Sequence, residues 1–226
     1  KYRTTCGIIL KELTKAGCAM IRLFVGLELA EEQKAALQNV MHGISSIKWQ
    51  RDDQLHLTLS FIGEVPKNIA RDIAAGLASI SFTPFDLYLS GVGLFGSLDK
   101  PRMLWSGVKD AAPLSHLHEK VERVLIGLGI EHEVRKYKPH VTLTRIRKRV
   151  RPFEIEQWMV FNDNFKAPAL RVGYFTLFSS QLSHNGSYYD PEVNFAAQGG
   201  LMPELYEDSF DIPDFLPVKE RYSFTP

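Results

Sequence analysis

Two short stretches constrain this chain more than anything else in it. His56-Leu57-Thr58-Leu59 and His140-Val141-Thr142-Leu143 are near copies, 84 residues apart (140 − 56). Each lies in an apolar run, QLHLTLSFIG and KPHVTLTRI, that reads as a strand. Residues two apart in a strand point to the same face. His56 with Thr58, and His140 with Thr142, therefore share one face, and Leu57 with Leu59, and Val141 with Leu143, share the other. A core strand that gives one face to His and Thr, twice, predicts a site built from two strands.

The segments around the two stretches repeat as well. Met20–Leu29 reads as a buried strand, and Ala30–Met41 has helical spacing with Glu31 and Glu32 in its first turn. Ile47–Gln50 reads as a short strand around Trp49, and Arg51–Asp53 as a turn into the first His strand. A helix follows from Pro66 to about Ser79, then strands over Phe85–Leu94 and Arg102–Val108. Pro113 opens a helix that Gly129 ends, and Glu131–Arg135 is a short extended piece before the second His strand. Phe153–Phe161 reads as a short helix, Leu170–Ser180 as one strand and Ser187–Asp190 as a last one. Strand, helix, short strand, His strand, helix, strand thus occurs twice. This order predicts an α+β domain with antiparallel pairing. Two similar lobes facing each other would set the His strands side by side around a cleft.

The domain is expected over residues 20–196. Residues 1–19 read as an upstream extension, and 197–226, with four prolines and many acids, as an irregular or disordered tail. Both cysteines, Cys6 and Cys18, precede Met20, so no disulfide framework is indicated and a reducing, cytoplasmic compartment is expected. No apolar run approaches the roughly 18 residues that a membrane span needs. The net charge of +1 leaves no global pull toward nucleic acid. Locally, though, eight Lys or Arg and no acid lie between Arg135 and Arg151, flanking His140.

Two imidazoles converging on one substrate suit in-line phosphoryl transfer. A protonated His gives its proton to the leaving oxygen, and a neutral one takes a proton from water. The Thr hydroxyls on the same face can hold phosphate oxygens. This scheme calls for no metal or other cofactor. A metal site would need a third ligand such as His42, His116 or His132, and His116 and His118 read as surface residues of their helix.

HLTLSFIG and HVTLTR, with IRLFVGLEL before them, resemble the two-histidine (2H) phosphoesterase superfamily, and more narrowly the bacterial RNA 2′,3′-cyclic phosphodiesterases, also named 2′-5′ RNA ligases. Trp49, the stretch Gly91-Val92-Gly93-Leu94-Phe95, and Pro101-Arg102 before Trp105 add to the likeness, which covers Met20 to Phe195. The resemblance implies two pseudo-symmetric lobes of antiparallel sheet, flanked by helices, that frame a water-filled cleft. It implies His56 as proton donor to the leaving 3′ oxygen and His140 as the base that activates water, giving a 2′-phosphomonoester. Thr58 and Thr142 would hold the non-bridging oxygens, and Arg145 would contact phosphate. Phe61 and Phe95 are candidates to stack a terminal base. The expected partner is an RNA end with a 2′,3′-cyclic phosphate, bound by a monomer, with ligation as the reverse reaction. The alternatives are a non-catalytic module that holds RNA ends, and a 2H hydrolase of another cyclic phosphate or of 2′,5′-oligonucleotides. The motifs are symmetric, but only His140 is flanked by dense positive charge. That charge is expected to depress its pKa and suit it to the role of base.

Overall fold

The structure, a computed structural model, describes residues 20–130, 136–183 and 186–198. The expectations for residues 1–19, for Glu131–Arg135 and for the tail from residue 199 lie outside the described residues. Among the described residues there are eight strands, β1 (Met20–Glu28), β2 (His56–Pro66), β3 (Phe85–Gly96), β4 (Pro101–Lys109), β5 (His140–Arg145), β6 (Leu170–Val172), β7 (Tyr174–Ser183) and β8 (Gly186–Ala196), and four α-helices. The helices are α1 (Glu31–Gln38), α2 (Lys67–Ala78), α3 (Ala112–Gly127) and α4 (Pro152–Phe161).

The strands run β6-β3-β4-β5-β2-β1-β7-β8, and every named pair is antiparallel. The order is a pseudo-dyad about its middle, with β2 matching β5, β1 matching β4, β7 matching β3 and β8 matching β6. The fold is thus α+β with two antiparallel lobes, as the order of elements predicts. The lobes are not consecutive halves of the chain, however. β3 pairs with β4 and joins the second His strand, whereas β7 and β8 return to the first. The expected strand Leu170–Ser180 is in fact two, because the chain breaks at Gly173. Its first part, β6, pairs with β3, and its second, β7, pairs with β1. One connection therefore ties the outer strands of both lobes together. The expected strand Ile47–Gln50 shrinks to a single bridge, Trp49 to Thr144, on the far lobe's His strand.

The helices cover one face of the sheet. α2 buries Ala70, Ile73, Ala74 and Leu77, and α3 buries Leu114, Leu117, Val121 and Leu125, both at helical spacing. Gly129, at φ 77°, supplies the left-handed turn that ends α3. These side chains meet Leu57 and Leu59 of β2, and Val141 and Leu143 of β5, in one core. The alternation that sends those residues inward sends the His-Thr face to the uncovered side.

Candidate active site

β2 and β5 share one ladder pair, Leu57 with Val141, and diverge on either side of it. Cross-strand partners project to the same face. His56, Thr58, His140 and Thr142 are therefore brought together on the cleft face, half-buried.

Strict alternation would next bring Ser60 and Thr144 to the cleft, but it does not. In β2 the partners of β1 shift by one residue between Thr58 and Ser60, which makes Leu59 a bulge. In β5 the partners of β4 shift between Thr142 and Thr144, which makes Leu143 the equivalent bulge. An added residue reverses the phase of the strand after it. Ser60 and Thr144 thus turn into the core, and Phe61 and Arg145, each five residues after its histidine, turn into the cleft.

The two imidazoles are held alike. His56 Nδ1 lies 2.8 Å from Gln54 O, and His140 Nδ1 lies 2.7 Å from Lys138 O, each the carbonyl two residues earlier. A carbonyl only accepts, so Nδ1 carries the hydrogen in both rings and Nε2 is left for chemistry.

Their surroundings differ. His56 sits in a cage of rings from three other strands, 4.8 Å from Phe24, 4.7 Å from Tyr189 and 6.3 Å from Phe178 between centroids. Phe24 stacks on Phe178 at 4.8 Å. His140 meets the ring of Phe95 edge-on at 4.9 Å and that of Trp105 at 6.4 Å. Lys138 Nζ lies over both of those rings, 4.5 Å from Trp105 and 5.2 Å from Phe95. Trp105 can lie there because Gly93, its cross-strand partner, has no side chain. A Cβ at Gly93 would overlap the indole.

Burial pushes His56 down to about 4, with Arg145 and His140 adding smaller Coulomb contributions. Burial also comes first in lowering His140, followed by Arg145 and Lys138, against the opposing hydrogen bond to Lys138 O. The direction expected for His140 holds, with burial ahead of charge as its cause, but His56 is pushed down as well. Arg145 acts on both histidines, and the larger shift falls on His56, which lacks the flanking basic stretch but has the ring cage.

The remaining candidates are distributed as follows. Thr142 Oγ1 donates to Met103 Sδ at 3.3 Å, a weak acceptor that a phosphate oxygen would outcompete. Arg145 is exposed on the cleft face. Phe61 is 60% exposed, with Phe24 6.1 Å from it. Phe95 is packed against His140, Trp105 and Lys138, so Phe61 offers the more open ring. Among the described residues no group of three His, Cys, Asp or Glu is placed to hold a metal ion. His116 is exposed, as expected. His118, also expected at the surface, is instead half-buried. Its Nδ1 lies 2.9 Å from Leu59 O and its ring stacks on Tyr137 at 3.8 Å. Sequence reasoning missed Phe24, Phe178 and Tyr189 around His56. It counted Lys138 only as one charge of many, although its place two residues before His140 matches that of Gln54 before His56.

No helix among the described residues is long and apolar enough to cross a membrane. Known proteins resemble this chain in sequence and in fold. An RNA 2′,3′-cyclic phosphodiesterase of Aeropyrum pernix is 34% identical over 165 residues, 71% of this chain and 93% of that protein. One of Thermotoga maritima is 26% identical over 190 residues, 80% of this chain and 98% of its own. The crystal structure of a Thermus thermophilus protein, 26% identical, superposes with a TM-score of 0.66 over 78% of this chain and 97% of that one. Escherichia coli LigT in its apo form, at 21% identity and a TM-score of 0.65, covers 79% of this chain and 98% of that one and shares the fold. The sequence pattern of the LigT-like phosphoesterases matches residues 27–105 and 107–189, and so takes in both His strands. The chain belongs to the LigT-like phosphoesterase family.

Proposed function

We propose that this protein hydrolyses the 2′,3′-cyclic phosphate at an RNA end to a 2′-phosphomonoester, through His56 and His140 as acid and base. The observation that carries this is the matched pair of imidazoles on one cleft face, each with Nδ1 tied to a carbonyl and Nε2 left free, beside Arg145. The names of the relatives support the substrate class.

In this reading Thr58, Thr142 and Arg145 hold the non-bridging oxygens. A water oxygen attacks phosphorus in line and gives its proton to His140. The bond from phosphorus to O3′ breaks as His56 protonates that oxygen. Both rings are pushed down in the free protein, so an acid must be created on binding. The negative charge of the phosphodiester raises both imidazoles, and the site gains its proton as the substrate enters. With a 5′-hydroxyl attacking phosphorus in place of water, and O3′ leaving as before, the same steps form a 2′-5′ linkage. Hydrolysis should dominate because water is far more concentrated than an RNA end. Residues 20–196 form the catalytic unit, a monomer of the cytoplasm in this reading, and gel filtration reads its mass.

The test is a short RNA bearing a 2′,3′-cyclic phosphate, with the product identified as 2′- or 3′-phosphate. His56→Ala and His140→Ala should each lower turnover by about 10²–10⁴-fold, the usual cost of a lost general acid or base. A substrate with sulfur at the bridging 3′ position needs no acid to release its leaving group. It should rescue His56→Ala and not His140→Ala, and the opposite pattern reverses the two roles. Tight binding of the cyclic end without product, or a double variant with full activity, would overturn the hydrolase reading.

A further inference from the structure

A single ladder pair between β2 and β5 does not fix how far apart His56 and His140 stand. The two bulges create the means to fix it. A bulge leaves its extra residue without a regular partner in the ladder. On β5, the bulge carbonyl Leu143 O accepts from Gln50 N at 2.8 Å. That donor lies six residues before His56. On β2, the bulge carbonyl Leu59 O accepts from His118 Nδ1, which α3 carries, at 2.9 Å. Each bulge is thus closed by a segment that belongs to the other part of the chain.

The β2 side has a second bond. Tyr137 Oη donates to Thr58 O at 3.1 Å, and its ring lies flat on His118, at 3.8 Å and 14°. Burial pushes the Tyr137 phenol up, so it stays protonated and remains a donor. Tyr137 stands three residues before His140, and Lys138 between them holds His140 Nδ1. A short path therefore runs from the first motif to the second: Thr58 and Leu59 carbonyls, the stacked His118–Tyr137 pair, Lys138 O, then the His140 ring.

We propose that His118 and Tyr137 are positioning residues that set the separation of the two motif histidines. The inference rests on the reading of His56 and His140 as acid and base. Neither ring needs to touch substrate. Their effect would come through the geometry of the pair, and displacements near 1 Å in such constellations cost about 100-fold in rate.

Three variants and two readouts test this. Tyr137→Phe keeps the stacked ring and removes the donor, and His118→Phe does the same on the other side. Each should lower kcat on the cyclic-phosphate RNA by about 10–100-fold while KM stays within about twofold. His118→Asn, which restores an N–H near the place of Nδ1, should recover most of the loss. The second readout needs no substrate. The imidazole NMR signals of His56 and His140 should both move in Tyr137→Phe and His118→Phe, and that of His116, exposed on the same helix, should not. Kinetics are taken well below each variant's Tm, so that only folded protein is compared. A kcat within twofold of the parent, or unmoved His56 and His140 signals, overturns the proposal even if Tm falls. If the parent protein turns over no cyclic phosphate, the functional reading fails by itself and the imidazole signals still decide on the positioning role.

Discussion

The ring cage around His56 makes a prediction about stability that can be worked through. His56 sits at about 4 in the fold and near 6.5 in the unfolded chain. Between those values the unfolded state binds a proton that the folded state refuses. Stability must therefore rise with pH across this window and be lost as pH falls through it. A fall from near 6.5 to about 4 is worth about 3 kcal/mol once both states are protonated. At pH 5 the loss is already about 2 kcal/mol. With a urea slope of about 2 kcal/mol/M for a domain of this size, that is about 1 M in the unfolding midpoint. The perturbation is His56→Asn, which cannot titrate. Urea melts of parent and variant at pH 8 and pH 5 give four midpoints. The parent should lose about 1 M more than the variant between the two pH values, since groups common to both cancel. Inorganic phosphate should narrow the gap, because an anion in the cleft raises the imidazole. Parallel losses in the two proteins would refute the reasoning, as they would mean that His56 takes a proton in the fold as readily as in water.

Two further outcomes follow from the cleft. Gly93→Ala places a methyl group in the Trp105 ring, so the indole must leave its seat and Phe95, Lys138 and His140 must repack. We expect a loss of about 1–3 kcal/mol by thermal or urea unfolding, with turnover falling further than stability; an unchanged protein would show that the indole is free to move. Arg145→Gln removes a cation that lowers both histidines. Both limbs of the pH–rate profile should move to higher pH while KM rises about tenfold, and a profile that stays in place would separate Arg145 from the imidazoles.

The chain's pattern made the site legible to a well-defined point. Alternation alone put His56 with Thr58 and His140 with Thr142 on one face, and the doubled motif marked two related strands. Alternation fails at the next residues. By simple parity Phe61 and Arg145 belong with Leu57 and Val141 in the core; Arg145 stayed a site candidate through the likeness to a family, and Phe61 through the use of aromatic rings to stack single-stranded bases. The bulges at Leu59 and Leu143 explain why they belong in the cleft. A trace of this was present in the sequence, since Leu-Ser-Phe and Leu-Thr-Arg each end a motif with a small polar residue that the core can accept. The exchange of β3 and β7 between lobes had no such trace, because which strands pair across the chain is not written in their own composition. The depression of His56 was hidden for a similar reason. Counting charges near His140 in sequence could not reveal Phe24, Phe178 and Tyr189, which reach His56 from β1, β7 and β8.

The pseudo-dyad also bears on why the two lobes are not alike. Phe61 and Arg145 occupy equivalent places, yet one is apolar and the other cationic. In the proposed reaction the phosphodiester needs a cation, and Arg145 would supply it at a cost to both imidazoles, which its field pushes down. A second cation at the place of Phe61 would stand on the strand of His56, whose proton is already the harder to hold. In the same reading an aromatic ring there would add surface for a base without adding charge. In the proposed reaction His56 is the group that must hold a proton once the substrate is bound, so the apolar half of the pair lies where charge would do the most harm. The asymmetry of the site then resides less in the two histidines, which are held by identical bonds, than in the residues five positions after each of them.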